Sequence, residues 1–204
     1  MKNCIFLVAD KDMECSIKGI LTRDKAIGMS QISYDINVHP QHDPGCRTSG
    51  TALLRNFSNQ YEQCFLVFDY KGSGENSLSA EALEKQLEEQ LVTFGWNTGT
   101  AHSLVINPEL ENWVWAQSQH LAELLGLSNM DSVTEWLEHE NFTITDNQKP
   151  ERPKEAFELR LEQIREPRSS ALYKELASKV SFKNCTDRSF QKLIKILQNT
   201  FPAT

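Results

Sequence analysis

The feature that most constrains this chain is the alternation of short apolar runs with amphipathic stretches over its first 120 residues. A continuous apolar run of five or six residues indicates a strand buried on both faces, which is typical of a parallel sheet. One run instead alternates apolar and polar residues with the strand period of two. The four predicted strands are CIFLVA (4–9), the alternating ISYDINVH (32–39), CFLVFDY (64–70) and HSLVIN (102–107).

The stretches that follow these strands have helical spacing. In the first, apolar residues such as Met13 and Ile17 recur every three or four positions. In the third, Ser79 and Gly95 are placed to cap the two ends of a helix, and Pro108 suits the first turn of the fourth. The predicted helices are DMECSIKGILTR (12–23), SGTALLRNFSNQYE (49–62), LSAEALEKQLEEQLVTFG (78–95) and PELENWVWAQ (108–117). This order predicts an α/β fold with a mostly parallel four-stranded sheet flanked by helices.

Beyond residue 120 the predicted elements are all helical. A stretch rich in proline and charge, TDNQKPERPKE (145–155), has the composition of a linker. We therefore expect an α/β core at residues 1–120 and a helical, basic C-terminal segment at 121–204 that packs on the core. The predicted helices of this segment are 118–127, 131–142, 153–166, 169–180 and 187–201.

Charge is distributed unevenly along the 204 residues. The net charge is −7, which excludes a protein that is basic throughout, the usual signature of nucleic-acid binders. Residues 149–204 nevertheless carry a net charge of +5, and residues 1–148 carry −12. A basic end of this kind either pairs with the acidic body of the same chain or binds a polyanion, and the sequence leaves both interpretations open.

Cysteine content and hydropathy bear on the compartment. The five cysteines are scattered and form no C-x-x-C pair, which is typical of a reduced, cytosolic protein rather than a disulfide scaffold. No apolar run approaches the roughly 20 residues that span a bilayer. We therefore expect a cytoplasmic protein without a membrane partner.

Acidic side chains follow three of the four predicted strands. Asp10, His39, Asp69 and Glu109 each lie at or just past a strand's carboxyl end, and Asp12 follows Asp10 closely. In open parallel sheets this edge is where ligands bind. Mg²⁺ takes oxygen ligands and needs few carboxylates when a phosphate completes its shell. The acids therefore predict a magnesium site for phosphoryl-transfer or nuclease chemistry. The alternative is that they cap helices or face water.

The stretch HPQHDPGCRTSG (39–50) concentrates polar groups that suit several roles. DPG at 43–45 is a turn signal, which favours a turn leading into the next helix. A second interpretation is a polar loop beside the strand-end acids, where His39 or His42 is a general acid or base and Arg47 binds phosphate. A third is a zinc site from the two histidines and the cysteine, for which Asp43 would be the fourth ligand, although ligands packed so closely along the chain are sterically awkward.

Three segments together have a recognisable pattern: FLVADKDMECSIKGIL (6–21), FLVFDYKGSG (65–74) and VINPELENWVWA (105–116). In them the chain resembles proteins with a Toprim-like domain. Further segments are HPQHDPGC (39–46), KPERPKEAFE (149–158) and PRSSALYKELASKVSFKNCTDRSF (167–190). With these included, the chain is similar over nearly its whole length to the small Toprim-like proteins of methylation-associated antiphage defence systems in prokaryotes.

The resemblance implies a Mg²⁺ site made by a glutamate after the first strand and an Asp-x-Asp after the third. Asp69 matches the first aspartate of that pair. Asp10 stands where the glutamate is expected, and Lys71 stands where the second aspartate is expected. A lysine repels a cation, but together with the backbone N–H groups of KGSG it is a candidate phosphate contact. The alternative is that KGSGENS (71–77) is a flexible surface loop.

The expected function follows from the resemblance and from these residues together. We expect a component of a prokaryotic antiphage defence system that is a divalent-metal-dependent nuclease or a binder of nucleic-acid or nucleotide phosphates. Its partners would be other proteins of the same system and DNA or RNA. The alternative is a non-catalytic sensor or assembly subunit with a decayed site. The expected residues are Asp10, Asp69, His39 and His42 for catalysis, Arg47 and Lys71 for phosphate, and Asp10, Asp12, Asp69 and Glu109 for Mg²⁺.

Overall fold

A computed structural model describes residues 1–181 and 184–203. These residues form a four-stranded, all-parallel sheet flanked by helices, with a helical C-terminal segment, which confirms the predicted α/β class. Phe182 and Lys183, which belong to the last segment of the resemblance, and Thr204 lie outside the described residues. The strands are β1 (Lys2–Val8), β2 (Tyr34–Val38), β3 (Tyr61–Asp69) and β4 (Ala101–Ile106).

The helices account for most of the remaining described residues. A single 3-10 turn, Arg55–Phe57, separates α3 from β3. Within residues 1–181 and 184–203, no helix is both long and apolar enough to cross a bilayer. The helices are α1 (Lys11–Leu21), α2 (Asp24–Ile27), α3 (His42–Leu54), α4 (Ala80–Thr93), α5 (Glu111–Val114), α6 (Gln119–Leu124), α7 (Met130–His139), α8 (Pro153–Gln163), α9 (Ser170–Lys179) and α10 (Arg188–Thr200).

The sheet has the order β2-β1-β3-β4, so β1 and β3 are its central strands. Phe6 of β1 is opposite both Ile36 of β2 and Phe65 of β3. Both central strands are buried along their apolar runs, which explains why these runs are continuous rather than alternating. Helix α1 packs on β1 and β2, and α3 and α4 contact each other and pack on β3 and β4 respectively. The right-handed crossovers that are the rule for parallel strands would place α1 on the opposite face from α3 and α4.

The C-terminal segment covers α1 and one edge of the sheet. Helix α9 packs on α1 so closely that a Cβ at Gly19 would lie 2.6 Å from the carbonyl oxygen of Lys174. Arg23 donates to the carbonyl of Val180 at 2.5 Å, just beyond α9. Helix α10 lies along β4. The division of the chain at residue 120 stays a prediction.

Charged side chains close the β4 edge of the sheet. Glu84 of α4 accepts the outward backbone N–H of Val105 at 2.8 Å. Arg188 of α10 donates to Glu84 at 2.7 Å and to the Val105 carbonyl at 3.2 Å. Lys192 donates to Glu84 at 2.9 Å and to the Ser103 carbonyl at 2.9 Å. Helix α10 thereby blocks the β4 edge from further strand pairing.

The predicted start of α3 was wrong. The helix begins at His42 and ends at Leu54, so the DPG sequence at 43–45 forms its first turn instead of a loop. A proline is tolerated in a first turn, where its missing N–H leaves no helical bond unmade. The glycine is required by packing, because a Cβ at Gly45 would lie 2.2 Å from the imidazole of His39.

The helix predicted to open at Pro108 was also wrong. The chain after β4 continues alongside β3, since Tyr70 N–H donates to the Ile106 carbonyl at 2.8 Å and Lys71 N–H to the Pro108 carbonyl at 3.0 Å. These bonds extend the parallel pairing past the strand ends and leave only the four-residue helix α5. Glu109 therefore lies beside the end of β3 rather than on a helix.

Candidate functional site

Acidic side chains converge at the carboxyl ends of β1, β3 and β4, with Asp69 at their centre. Asp69 is the last residue of β3 and is 8% exposed. Its Oδ1 atom is buried and has no hydrogen-bond partner among the described residues. Burial raises the pKa of Asp69 well above its usual value, and the charges of Asp43, Glu111, Asp10 and Glu109 raise it further. A buried carboxyl among four others is a strongly negative environment.

Asp10 and Asp43 approach this carboxyl from two helix N-termini. Asp10 caps α1 by accepting a first-turn N–H at 2.9 Å. Asp43 is the second residue of α3, and its Oδ1 accepts the backbone N–H of Asp69 at 2.8 Å. The Nδ1 atom of His42 lies 3.1 Å from the carbonyl oxygen of Ala9, which fixes the start of α3 beside the end of β1. Burial raises the pKa of Asp43, and Asp10 adds to that increase.

The two glutamates after β4 lie on the other side of Asp69, and each has a partner. Lys71 places its Nζ 3.4 Å from Glu109 Oε2, with its side chain 56% exposed. Glu111 accepts the hydroxyl of Tyr173 at 2.6 Å, and Arg168 lies 3.3 Å from the same oxygen. Lys71 therefore lies at the rim of the acidic group, and the C-terminal segment contacts its Glu111 side.

Asp12 is held by the C-terminal segment. Its Oδ2 lies 2.8 Å from Arg168, and its Oδ1 accepts the Ser170 hydroxyl at 2.6 Å. Arg168 also lies 3.5 Å from Glu158. Asp12 thus contributes to an ion-pair network between α1 and the chain before α9. Among the residues predicted to bind a metal, Asp10 and Glu109 lie near enough to raise the pKa of Asp69, whereas Asp12 is paired with Arg168.

The two histidines of the 39–50 stretch have different surroundings. His39 is 2% exposed, and its Nδ1 accepts the N–H of Gln41 at 3.1 Å. The proton is therefore on Nε2, which lies 3.1 Å from Ser49 Oγ. Burial lowers the pKa of His39, and the nearby His42 lowers it further. His39 is packed beneath the start of α3, whereas His42 is exposed at the carboxyl end of β1.

Arg47 braces the loop that follows β3. Its Nε donates to the Ser73 carbonyl at 2.7 Å, and its Nη1 lies 3.5 Å from Glu75 Oε2. Gly72 and Gly74 have φ values of +96° and +78°, which only glycine adopts readily. The loop that carries Lys71 is therefore held in place beside the acids, and Arg47 borders it.

The donor chemistry of this edge suits a hard cation and does not suit zinc. Cys46 is fully buried, and burial raises the pKa of its thiol, so the thiolate that zinc requires is disfavoured. No three His, Cys, Asp or Glu side chains are arranged to hold a metal in residues 1–181 and 184–203. Mg²⁺ usually has one or two protein carboxylates and completes its shell with water and phosphate. The unpartnered Asp69 Oδ1 with one neighbouring carboxylate fits that requirement.

The sequence did not predict the part that three residues play in this site. Asp43 was considered only as a fourth zinc ligand, although an acid in the first turn of a helix is a recognisable signal. Arg168 and Tyr173 contact Glu111 from about 60 positions away along the chain, and no local spacing predicts such a contact.

The site is thus an oxygen-rich cluster of acids that Lys71 borders. Its acids come from the ends of β1, β3 and β4 and from the start of α3, and Lys71 lies at its border. Its identification depends on geometry and electrostatics, because comparison with protein-family models, with curated proteins and with solved structures finds no match for this chain.

Proposed function

We propose that this chain is a Toprim-like component of a prokaryotic antiphage defence system, and that its strand-end site binds a divalent cation together with a nucleic-acid phosphate. The observation that carries the proposal is the Asp69 carboxyl, which is buried among four other acids with one oxygen unpartnered within the described residues. The defence role and the nucleic-acid substrate are supported by the sequence resemblance.

A cation explains the site better than a structural role does. An unpaired buried carboxyl costs folding free energy, because it must be desolvated as an anion or protonated against its ordinary pKa. A hard divalent ion removes this cost and satisfies the open oxygen. When bound, Mg²⁺ polarises a phosphate and lowers the pKa of a coordinated water.

The surrounding side chains divide the remaining work. Asp69 holds the cation at the end of β3 with a second carboxylate from the neighbouring acids, and Asp10 adds negative charge nearby. Lys71, whose ammonium is mostly exposed at the rim, contacts a phosphate oxygen, and Arg47 supports the loop that presents Lys71. His42 is exposed beside the end of β1, where its imidazole is placed to exchange a proton with water or a nucleotide.

The proposal is tested by incubating the purified full chain with single- and double-stranded DNA and RNA in Mg²⁺, Mn²⁺ or EDTA. We expect metal-dependent binding or cleavage that Asp69→Ala abolishes while its circular dichroism spectrum stays unchanged. Asp146→Ala is the matched control, because Asp146 is exposed in the loop before α8. Equal activity of wild type and Asp69→Ala would contradict the proposal.

A second candidate is a non-catalytic subunit with a decayed site. The observation in its favour is that basic side chains already pair with the acids: Lys71 with Glu109, and Arg168 with Asp12 and Glu111. The variant Lys71→Glu distinguishes the two candidates. If wild type binds no Mn²⁺ in calorimetry and Lys71→Glu does, an intramolecular cation has replaced the metal, and this candidate is supported over the first.

A further inference from the structure

Strand β3 supplies one carboxylate at its end, and a basic residue follows it in the chain. The residue two positions after Asp69 is Lys71, which points to Glu109 rather than to Asp69. A cation bound at Asp69 Oδ1 therefore needs its second acidic ligand from another element. That ligand must be a neighbouring acid that is both close to Asp69 and fixed in position.

Asp43 meets both conditions. Its Oδ1 atom accepts the N–H of Asp69 at 2.8 Å, a direct hydrogen bond between the two residues. Its Oδ2 atom points toward the loop after β3, because a Cβ added to Gly72 would lie 3.8 Å from it. Asp43 thus reaches between the last residue of β3 and the glycine loop, where a phosphate bound near Lys71 would approach.

The position of Asp43 also favours its anionic form once a cation is present. It lies in the first turn of the 13-residue helix α3, where the helix dipole stabilises negative charge. Asp43 is also the acid whose carboxylate is hydrogen-bonded directly to the last residue of β3.

We propose that Asp43 and Asp69 are the two protein carboxylates that hold the divalent cation, with Asp43 supplying the second acidic ligand that β3 lacks. This assignment rests on the proposed function and makes it more specific. It gives α3 the task of completing a site that begins on the sheet, because the start of this helix at His42 is what brings Asp43 to the end of β3.

The experiment is a Mn²⁺ titration of the full chain, by calorimetry and by electron paramagnetic resonance of free Mn²⁺. The variants are Asp43→Asn and Asp69→Asn, with Asp146→Asn as the control. Asparagine at 43 keeps an oxygen that accepts the Asp69 N–H and removes only the charge, so the fold is retained. Asp43→Ser, which also keeps an acceptor, is the second variant if the first fails to fold.

We expect wild type and Asp146→Asn to bind one ion with equal affinity. Asp43→Asn and Asp69→Asn should each weaken binding by about tenfold or more, since loss of even a supporting partner costs about 10- to 100-fold. Binding by Asp43→Asn that equals wild type, with loss in Asp69→Asn, overturns the assignment of Asp43 and leaves the proposed function standing. Absence of binding by wild type overturns both. An equal loss in Asp146→Asn attributes the effect to net charge and also overturns the assignment.

Discussion

The β4 edge of the sheet and the carboxyl ends of its strands each contain a buried carboxylate, and the two carboxylates differ in their partners. At the β4 edge, Glu84 is 3% exposed and is met by Arg188, Lys192 and the N–H of Val105. At the strand ends, Asp69 is 8% exposed and has one oxygen without a partner in the described part of the chain.

The difference shows that the C-terminal segment provides cations where carboxylates are structural. Helix α10 brings two of them to Glu84, and Arg168 reaches Asp12 and Glu111 at the border of the strand-end site. None of these three basic side chains pairs with Asp69. The other buried side-chain atom without a partner in residues 1–181 and 184–203 is the Ser103 hydroxyl, a neutral group with a far smaller desolvation cost. Asp69 is therefore a buried carboxyl without a matched cation in the described part of the chain, which is the basis of the proposed metal site.

The largest effect is expected at the paired group. Glu84→Leu should lower the free energy of unfolding by about 3 kcal/mol, because breaking a buried ion pair leaves charges and an N–H without their partner. Glu89→Leu on the exposed face of α4 is the control and should change it by less than about 0.5 kcal/mol. Urea denaturation measures both. Similar free energies of unfolding for the two variants would contradict the structural role of Glu84.

Replacement of Asp69 should change the free energy of unfolding in the opposite direction. In EDTA at pH 7, Asp69→Asn should raise the free energy of unfolding, because it removes a carboxyl whose pKa is raised by burial in the folded state. Saturating Mg²⁺ should reverse the order, because it stabilises only the protein that binds it. The loss in Glu84→Leu should be unaffected by Mg²⁺. Thermal melting with and without Mg²⁺ tests this, and destabilisation by Asp69→Asn in EDTA would contradict it.

The difference in stability between Asp69→Asn and wild type should become smaller at low pH. The pKa of Asp69 is raised in the folded state, so the folded chain holds this proton more tightly than the unfolded chain. The resulting stability is complete below about pH 4, the unfolded pKa, and is lost as the pH rises toward the folded pKa. In EDTA, the advantage of Asp69→Asn over wild type should therefore grow from about pH 4 to about pH 7. Melting curves across this range measure the gap, and a constant gap is incompatible with a perturbed Asp69.

The sequence predicted the sheet well because its central strands are buried on both faces. Strands β1 and β3 appear in the sequence as continuous apolar runs, and α4 has a serine and a glycine at its ends as expected. From the parallel order alone, Asp10, Asp69 and Glu109 were expected at one edge, and the structure brings their charges together around Asp69.

Other parts of the site depend on tertiary contacts that local patterns do not encode. The start of α3 was missed because Pro44 and Gly45 are turn residues by composition, whereas here they fit a first helical turn packed on His39. The ligand role that we infer for Asp43 depends on that start. The Arg168–Asp12 pair joins residues that are far apart in the chain. Charge counting left open whether the basic segment pairs with the acidic body or binds a polyanion.

The central claim is that a divalent cation binds at Asp69 Oδ1, and the most direct test is a crystal structure of the full chain grown with Mn²⁺. The anomalous difference map should show one strong peak about 2.1 to 2.2 Å from Asp69 Oδ1, close to the distances of Mg²⁺–oxygen bonds. A carboxylate oxygen of Asp43 should lie within the same coordination shell. A map with no peak at this edge at saturating Mn²⁺, and with Asp69 hydrogen-bonded to a neighbouring carboxylate, would contradict the account.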